Sequence, residues 1–319
     1  MINKRTFGRM GWEVTELGLG AWAIGGSGYG EVDDKIGEET LETYLDMGGN
    51  FIDTAHLYGN SEELIGNVLK RRGGRENLYI CSKSPGGASE DKLDLIREHV
   101  ELSLKRMGTD YVDLYYLHSP PEDADLMNRA LDIYDELKSE GKVMAVAASI
   151  KGPAVTDATT ELCRQYIDTG RIDAIQLIYS ILRQKNAEIF DYAQEKGVAL
   201  VARTSIESGF LSGKYKPGVN FKEGKGWDHR GRWDQEQLAQ ILEKVQELEG
   251  FAVQPPYEGL AQVAIRFALE SPQVSACIPG AKNPEQVKKN MAVAELPPLD
   301  SELVKKLRTE YSGLEDLVN

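Results

Sequence analysis

Short apolar segments alternate with longer amphipathic segments eight times along the chain, and this alternation limits the possible folds more than any other feature. The apolar segments predict eight strands, at residues 17–20, 50–53, 78–82, 112–117, 143–149, 174–178, 198–203 and 274–279. The segments that follow them predict helices at residues 36–47, 61–71, 92–106, 128–140, 154–169, 187–196, 259–270 and 284–294. Most repeats are about 26–34 residues apart, which is the size of a βαβ unit.

The strands are apolar throughout, as expected for strands that are covered on both faces. Eight strict repeats favour an α/β fold of the (β/α)8 TIM-barrel type over an open sheet. Two additions are predicted: a β-hairpin over Asn3–Val14, and a long Gly-rich loop after strand seven that includes a helix at residues 235–248. Barrels routinely reach this length as one domain, so residues 1–319 are expected to form a single barrel domain.

Composition narrows the possible partners and the compartment. The formal net charge of −14 argues against nucleic acid and anionic membrane surfaces as partners. Cys81, Cys163 and Cys277 are scattered and form no CxxC pair, which indicates a reducing compartment. With no apolar signal segment after Met1 and no membrane-length apolar run, a cytoplasmic location is expected. The four histidines lack the spacing of metal ligands, so no metal site is expected.

Polar residues end three consecutive predicted strands, where barrel enzymes carry their catalytic groups. Asp53 ends strand two with Tyr58 in the loop that follows, Lys83 ends strand three, and His118 ends strand four. A free tyrosine is a weak acid with a pKa of about 10, and a neighbouring ammonium group lowers that pKa. Asp53 would hold Lys83 charged, and His118 would hydrogen-bond a carbonyl oxygen. These residues therefore predict proton transfer by Tyr58, which is worth roughly 10²–10⁴ in rate.

Each of these residues also has an ordinary structural interpretation. Asp53 could cap a strand end, Lys83 could be a solvated loop lysine, and His118 could be a structural histidine before the turn at Ser119. The catalytic interpretation depends on their joint position at neighbouring strand ends, and therefore on the barrel itself.

Four motifs resemble the aldo-keto reductase family. The segment FIDTAHLYG from Phe51 to Gly59 is similar to the family signature, and Cys81–Lys83 and Tyr116–His118 are similar to its lysine and histidine motifs. The segment from Ile278 to Asn290 resembles its C-terminal cofactor motif, and the likeness extends from about Arg5 to about Leu296. The resemblance implies a (β/α)8 barrel that binds NADPH without a Rossmann domain. It implies reduction of an aldehyde or ketone to an alcohol, with Tyr58 as the general acid.

The resemblance also implies a set of binding residues. The cofactor would contact Ser149, Gln176, Arg203, Thr204, Ser205, Gly209, Leu211, Lys214, Gly280, Lys282, Gln286 and Asn290. Lys282 is the implied partner of a 2′-phosphate, which favours NADPH. Arg203 departs from the family, because many members place an aromatic ring there. The substrate would contact Trp22, Tyr58 and His118.

Two other functions stay open. A nucleotide-sensing regulatory protein, resembling the potassium-channel β subunits of this family, would keep the same catalytic residues. An unrelated barrel lyase or isomerase would match these motifs only by chance. The sequence identifies neither the carbonyl substrate nor the oligomeric state, and residues 297–319 could flank the pocket or pack outside the barrel.

Overall fold

The computed structural model of the chain describes residues 2–87, 89–150, 152, 154–224 and 226–319. An antiparallel hairpin of β1 (Lys4–Phe7) and β2 (Trp12–Thr15) comes first, as the sequence predicts. Eight parallel strands follow, which are β3 (Leu19–Gly20), β4 (Phe51–Asp53), β5 (Tyr79–Ser84), β6 (Val112–His118), β7 (Val143–Ser149), β8 (Ala174–Ile178), β9 (Ala199–Arg203) and β10 (Val274–Cys277). Each of these strands pairs with the next one along the chain.

Hydrogen bonds between the first and last of these strands close the sheet into a barrel. The Gly18 amide donates to the Cys277 carbonyl at 2.8 Å, and the Cys277 amide donates to the Glu16 carbonyl at 2.8 Å. Parallel bridges join Leu17 to Cys277 and Gly20 to Gly280. The predicted (β/α)8 architecture is confirmed.

Helices separate the strands and cover the outside of the barrel. They are α1 (Asp34–Asp46), α2 (Ser61–Arg72), α3 (Leu95–Met107), α4 (Ala124–Ser139), α5 (Asp157–Asp168), α6 (Phe190–Glu195), α7 (Gln235–Ala252), α8 (Leu260–Leu269), α9 (Pro284–Met291), α10 (Ser301–Glu310) and α11 (Glu315–Val318). Within the part of the chain that the structure describes, no helix is both long and apolar enough to cross a membrane.

Alternate residues of the strands fill two separate cores, because successive side chains of a strand point to opposite faces. On β6, Leu114 and Tyr116 belong to the cluster inside the barrel, whereas Tyr115 and Leu117 pack against the helices. Phe7 of the hairpin joins the inner cluster and lies 5.5 Å, between ring centroids, from Phe51 at the start of β4. The hairpin therefore closes the amino-terminal end of the barrel and leaves the opposite end open.

Several boundaries differ from the sequence prediction. Helix α4 begins at Ala124 and not at Asn128, because the Asp123 side chain accepts a hydrogen bond from the Leu126 amide at 2.9 Å and caps the helix. The helix predicted over residues 187–196 is a short 3-10 turn followed by α6. Strand β10 ends at Cys277, two residues earlier than predicted.

The C-terminal segment, whose place the sequence left open, forms α10 and α11 and packs outside the barrel. The Glu315 carboxylate accepts hydrogen bonds from the amides of Gln184 at 3.0 Å and Lys185 at 2.9 Å. The side chain of Asn319 accepts a hydrogen bond from the Val155 amide at 2.9 Å. This segment braces the loop after β8 from behind and does not line the large cavity at the open end.

Candidate active site

The structure brings together the four residues predicted at the ends of β4, β5 and β6. Lys83 is fully buried, and its ammonium group donates to the Asp53 carboxylate and, at 2.8 Å, to the Thr54 carbonyl. The Tyr58 ring faces this ammonium group, with 4.8 Å between Nζ and the ring centroid. The His118 ring meets the Tyr58 ring edge to face, at 6.0 Å between centroids. Neighbouring strand ends thus converge on one place, as the barrel topology requires.

Burial and charge set opposite protonation states for Lys83 and His118. Burial tends to lower the pKa of Lys83, but the electrostatic interactions with Asp53 and Tyr58 and the hydrogen bond to Asp53 together more than offset it, so this pKa lies above its usual value. Burial, reinforced by the positive charges of Lys83 and Arg203, lowers the pKa of His118 to about 3. At neutral pH, Lys83 is therefore a cation and His118 is neutral.

A cavity of about 930 Å³ opens at this end of the barrel. Tyr58, Asp53, His118 and Trp22 line it, whereas Lys83 lies behind Asp53 and Tyr58 and does not. The predicted cofactor residues that line it are Ser149, Gln176, Arg203, Thr204, Ser205, Gly209, Lys214, Gly280, Lys282, Gln286 and Asn290. Leu211 is the exception, because its side chain is fully buried in the hydrophobic core.

A chain of hydrogen bonds fixes the polar side chains at the catalytic end. Ser149 Oγ donates to Gln176 Oε1 at 3.0 Å, and Gln176 Nε2 donates to Asp53 Oδ2 at 2.7 Å. All three side chains are buried. The network holds a hydroxyl and an amide in place beside the Asp53 carboxylate.

Arg203 lies at the end of β9, where the sequence departs from the family. Its Nη2 donates to the Ile150 carbonyl at 2.9 Å and its Nη1 to Thr204 Oγ1 at 3.3 Å. Its Nε is buried without a partner among the described residues, as is His118 Nδ1. Such unpartnered buried groups at a cavity wall are typical of a ligand site.

The long loop after β9 folds back over the cavity and pairs with the loop after β3. The Gly30 amide donates to the Trp227 carbonyl at 3.1 Å, and the His229 amide donates to the Gly28 carbonyl at 3.0 Å. The His229 ring packs between Trp22 and Tyr29, with centroids 4.7 and 4.5 Å away. We call residues 226–232 the strap. In the sequence, a functional role for this region was indicated by the length of the loop after β9, since long loops tend to be functional.

The strap adds Arg230 to a positive region that the sequence predicted only in part. Arg230 is buried, forms an ion pair with Asp228 at 2.5 Å, and lines the cavity with Lys214 and Lys282. The ammonium group of Lys282 donates to the Tyr29 carbonyl, and burial lowers the pKa of Lys282. In a chain of net charge −14, this positive region suits the phosphates of a dinucleotide.

Comparisons with known proteins agree with this geometry. The sequence model of the aldo/keto reductase family matches residues 16–310. The NADH-specific methylglyoxal reductase of Escherichia coli is 30% identical over 89% of this chain and 90% of its own. A probable voltage-gated potassium channel subunit beta of Arabidopsis thaliana is 28% identical over 94% of this chain and 93% of its own. The holo form of an aldo-keto reductase from Bacillus halodurans superposes with a TM-score of 0.75, at 28% identity and 96% coverage of both chains.

Proposed function

The chain belongs to the aldo/keto reductase family, and from that premise we propose that it reduces an aldehyde or ketone to an alcohol, using NADPH and Tyr58 as the general acid. The observation that carries the proposal is the buried Lys83–Asp53 ion pair, whose ammonium group lies 4.8 Å from the Tyr58 ring centroid. This pair lies at one end of a cavity of about 930 Å³, a volume typical of cofactor sites.

Each polar side chain has a task in this reaction. When bound, the reduced nicotinamide supplies a hydride to the carbonyl carbon. Neutral His118 donates a hydrogen bond that orients the carbonyl oxygen, and Tyr58 gives its phenolic proton to that oxygen as the carbonyl π bond breaks. Lys83 stabilises the phenolate left behind, and Asp53 keeps Lys83 charged. Ser149 and Gln176 are suited to hold a carboxamide, because both are buried and fixed by hydrogen bonds.

The preference for NADPH over NADH is part of the proposal. It is supported by Lys282, Lys214 and Arg230, which give this part of the cavity a net positive charge even though Asp228 offsets the charge of Arg230. The relative from Escherichia coli is named as NADH-specific, so members of this family differ in this preference. We propose Lys282 as the partner of the 2′-phosphate.

The proposal includes a small carbonyl substrate and a cytoplasmic location. Three free, buried cysteines support a reducing compartment. The net charge of −14 makes nucleic acid and anionic membranes poor partners.

A second candidate is a nucleotide-sensing regulatory subunit. The similarity to a probable potassium channel subunit beta favours it, because such a protein would share the fold and the site. A cofactor that never exchanges, together with an obligatory protein partner in pull-down, would support this candidate over the enzyme.

Tyr58→Phe tests the enzyme proposal. We expect turnover to fall by roughly 10²–10⁴, because the acid is lost, while cofactor binding stays at the wild-type level. Turnover is followed by nicotinamide absorbance over a panel of aldehydes and ketones, and binding by fluorescence titration. Tyr111→Phe, the same change at an exposed site, is the matched control. Wild-type protein inert towards every carbonyl, or Tyr58→Phe with full activity, would contradict the proposal.

A further inference from the structure

Three arginines other than Arg230 line the cavity, and the proton transfer needs none of them, although the family resemblance also counts Arg203 among the cofactor contacts. Arg183 lies in the loop after β8, Arg203 ends β9, and Arg232 lies in the strap. Arg203 and Arg232 are both within electrostatic reach of Arg183, and Arg232 also of Arg203 and Glu207. We call these three residues the guanidinium cluster.

The carboxylate of Glu207 is occupied by one member of the cluster. Arg183 Nε donates to Glu207 Oε1 at 2.9 Å and Arg183 Nη2 to Glu207 Oε2 at 2.6 Å, and both side chains are 1% exposed. Ser180 donates a further hydrogen bond to the same carboxylate. These three hydrogen bonds occupy most of the acceptor capacity of the carboxylate, which has about four lone-pair directions.

The other two members are not paired with a carboxylate among the described residues. Among the residues that the structure describes, Arg203 donates to the Ile150 carbonyl and the Thr204 hydroxyl, and burial lowers its pKa. The guanidinium carbon of Arg232 lies 3.8 Å from the centroid of the Trp233 ring, and the residue is exposed to solvent. A buried cation without a counter-charge is costly, and an incoming anion would offset that cost.

Arg203 connects the cluster to the reacting end of the cavity. The charge of Arg203 contributes to the low pKa of His118, and it also interacts with Tyr58 and Asp53. The backbone nearby is strained, with positive φ at Thr204 (62°) and Glu207 (45°). Strained backbone of this kind is common at ligand sites, where the surrounding contacts hold it in place. The positive region proposed for the cofactor phosphates is formed by other residues, Lys214, Arg230 and Lys282.

We propose that the substrate is a carbonyl compound with an oxyanion, a carboxylate or a phosphate, and that Arg232 and Arg203 bind this group while the carbonyl meets Tyr58 and His118. Arg183, held by Glu207, keeps the loop after β8 in place beside the site. The loop that carries Arg183 is held from behind by Glu315, so the C-terminal helix supports the same site. This inference rests on the proposed reductase function and narrows its substrate class.

Matched substrate pairs test the inference. One pair is 4-carboxybenzaldehyde and its methyl ester, and the other is glyceraldehyde 3-phosphate and glyceraldehyde; the two pairs separate carboxylate from phosphate. For at least one pair we expect the anionic member to have a KM lower by about 10-fold or more, since a hydrogen bond to a charged group is worth that much. Arg232→Gln should reduce this preference by about 10-fold or more, mainly through KM. Arg129→Gln removes an equal charge from an exposed ion pair with Glu90 and should leave the preference unchanged.

The outcomes separate this inference from the reductase proposal. If carbonyls are reduced but neither anionic member is preferred, or if Arg232→Gln keeps the preference, the inference is wrong and the reductase proposal stands. If no carbonyl is reduced, the reductase proposal fails. The inference is then decided by comparing the affinities of the cofactor-loaded protein for benzoate and for benzamide. Isothermal titration calorimetry measures this binding. Benzoate binding that Arg232→Gln abolishes supports the oxyanion site, and its absence from wild-type protein overturns it.

Discussion

At the scale of single residues, burial decides the chemistry of His118. Its pKa of about 3 results from burial together with the positive charges of Lys83 and Arg203, so the imidazole is neutral throughout the working pH range. We expect its ring resonances to stay constant between about pH 8 and pH 5 in an NMR titration, whereas a solvated histidine titrates near pH 6.5. His118→Gln identifies the resonances, and a midpoint near pH 6.5 would contradict the prediction.

The same shift determines how His118 affects folding stability. Because the pKa is lowered in the folded state, only the unfolded chain takes up this proton between pH 6.5 and about pH 3. The His118 contribution to stability is therefore complete above pH 6.5 and is lost as the pH falls through that window. As the pH is lowered across this range, the urea concentration at the unfolding midpoint should fall less steeply for His118→Gln than for the wild-type protein.

At the scale of elements, replacement of glycine by alanine should have opposite effects at two positions. A Cβ added at Gly25 would lie 1.8 Å from the Tyr58 carbonyl oxygen, so Gly25→Ala must displace the loop that carries Tyr58. A misplacement of about 1 Å near the reacting atoms can cost about 10²-fold in rate. Gly250 lies in α7 with open space around it, and Gly250→Ala should stabilise the helix by about 0.5–1 kcal/mol.

Thermal denaturation and turnover measured on both variants check this prediction. Gly250→Ala should raise the Tm by about 1–3 °C with unchanged turnover, and it serves as the control for the added methyl group. Gly25→Ala should lose most of its turnover. Wild-type turnover in Gly25→Ala would show that the contact between the two loops does not position Tyr58.

The elements were predictable wherever apolar periodicity extended to their ends. Helix α4 shows the limit: its buried stripe begins at Met127, so periodicity could not detect the first turn, which depends on the Asp123 cap. Helices α10 and α11 were not predicted, because partly exposed helices at the edge of a fold bury too few residues to produce a clear stripe. Local polar interactions, more than burial, set these boundaries.

At the scale of the whole molecule, the catalytic end of the site was predictable and the strap was not. Barrel topology alone places the ends of β4, β5 and β6 side by side, so Asp53, Lys83 and His118 could be grouped from the sequence. The strap depends on contacts between segments that are far apart in the chain, such as His229 Nδ1 with the Gly28 carbonyl at 2.8 Å. No local pattern encodes such a pairing, so Arg230 and Arg232 emerged only from the structure.

The uneven charge distribution of the whole molecule gives the last prediction, which concerns cofactor choice. Lys282 lies beside Arg230 and Lys214 in a chain of net charge −14, so a cofactor with an extra phosphate gains most from this region. We expect Lys282→Met to weaken NADPH binding by roughly 10–150-fold and to change NADH binding little, because only NADPH carries the 2′-phosphate. Rising salt should weaken NADPH binding more than NADH binding in the wild-type protein.

Fluorescence titrations with both dinucleotides measure these affinities, and α9 supplies the control. Lys288 lies on α9, which begins two residues after Lys282, and it is exposed but does not line the cavity, so Lys288→Met removes an equal charge outside the site. A general loss of positive potential would weaken binding in both variants, whereas a specific phosphate contact affects only Lys282→Met. Equal weakening of NADPH and NADH by Lys282→Met would mean that this ammonium group acts on the shared pyrophosphate, and the proposed preference for NADPH would lose its structural basis.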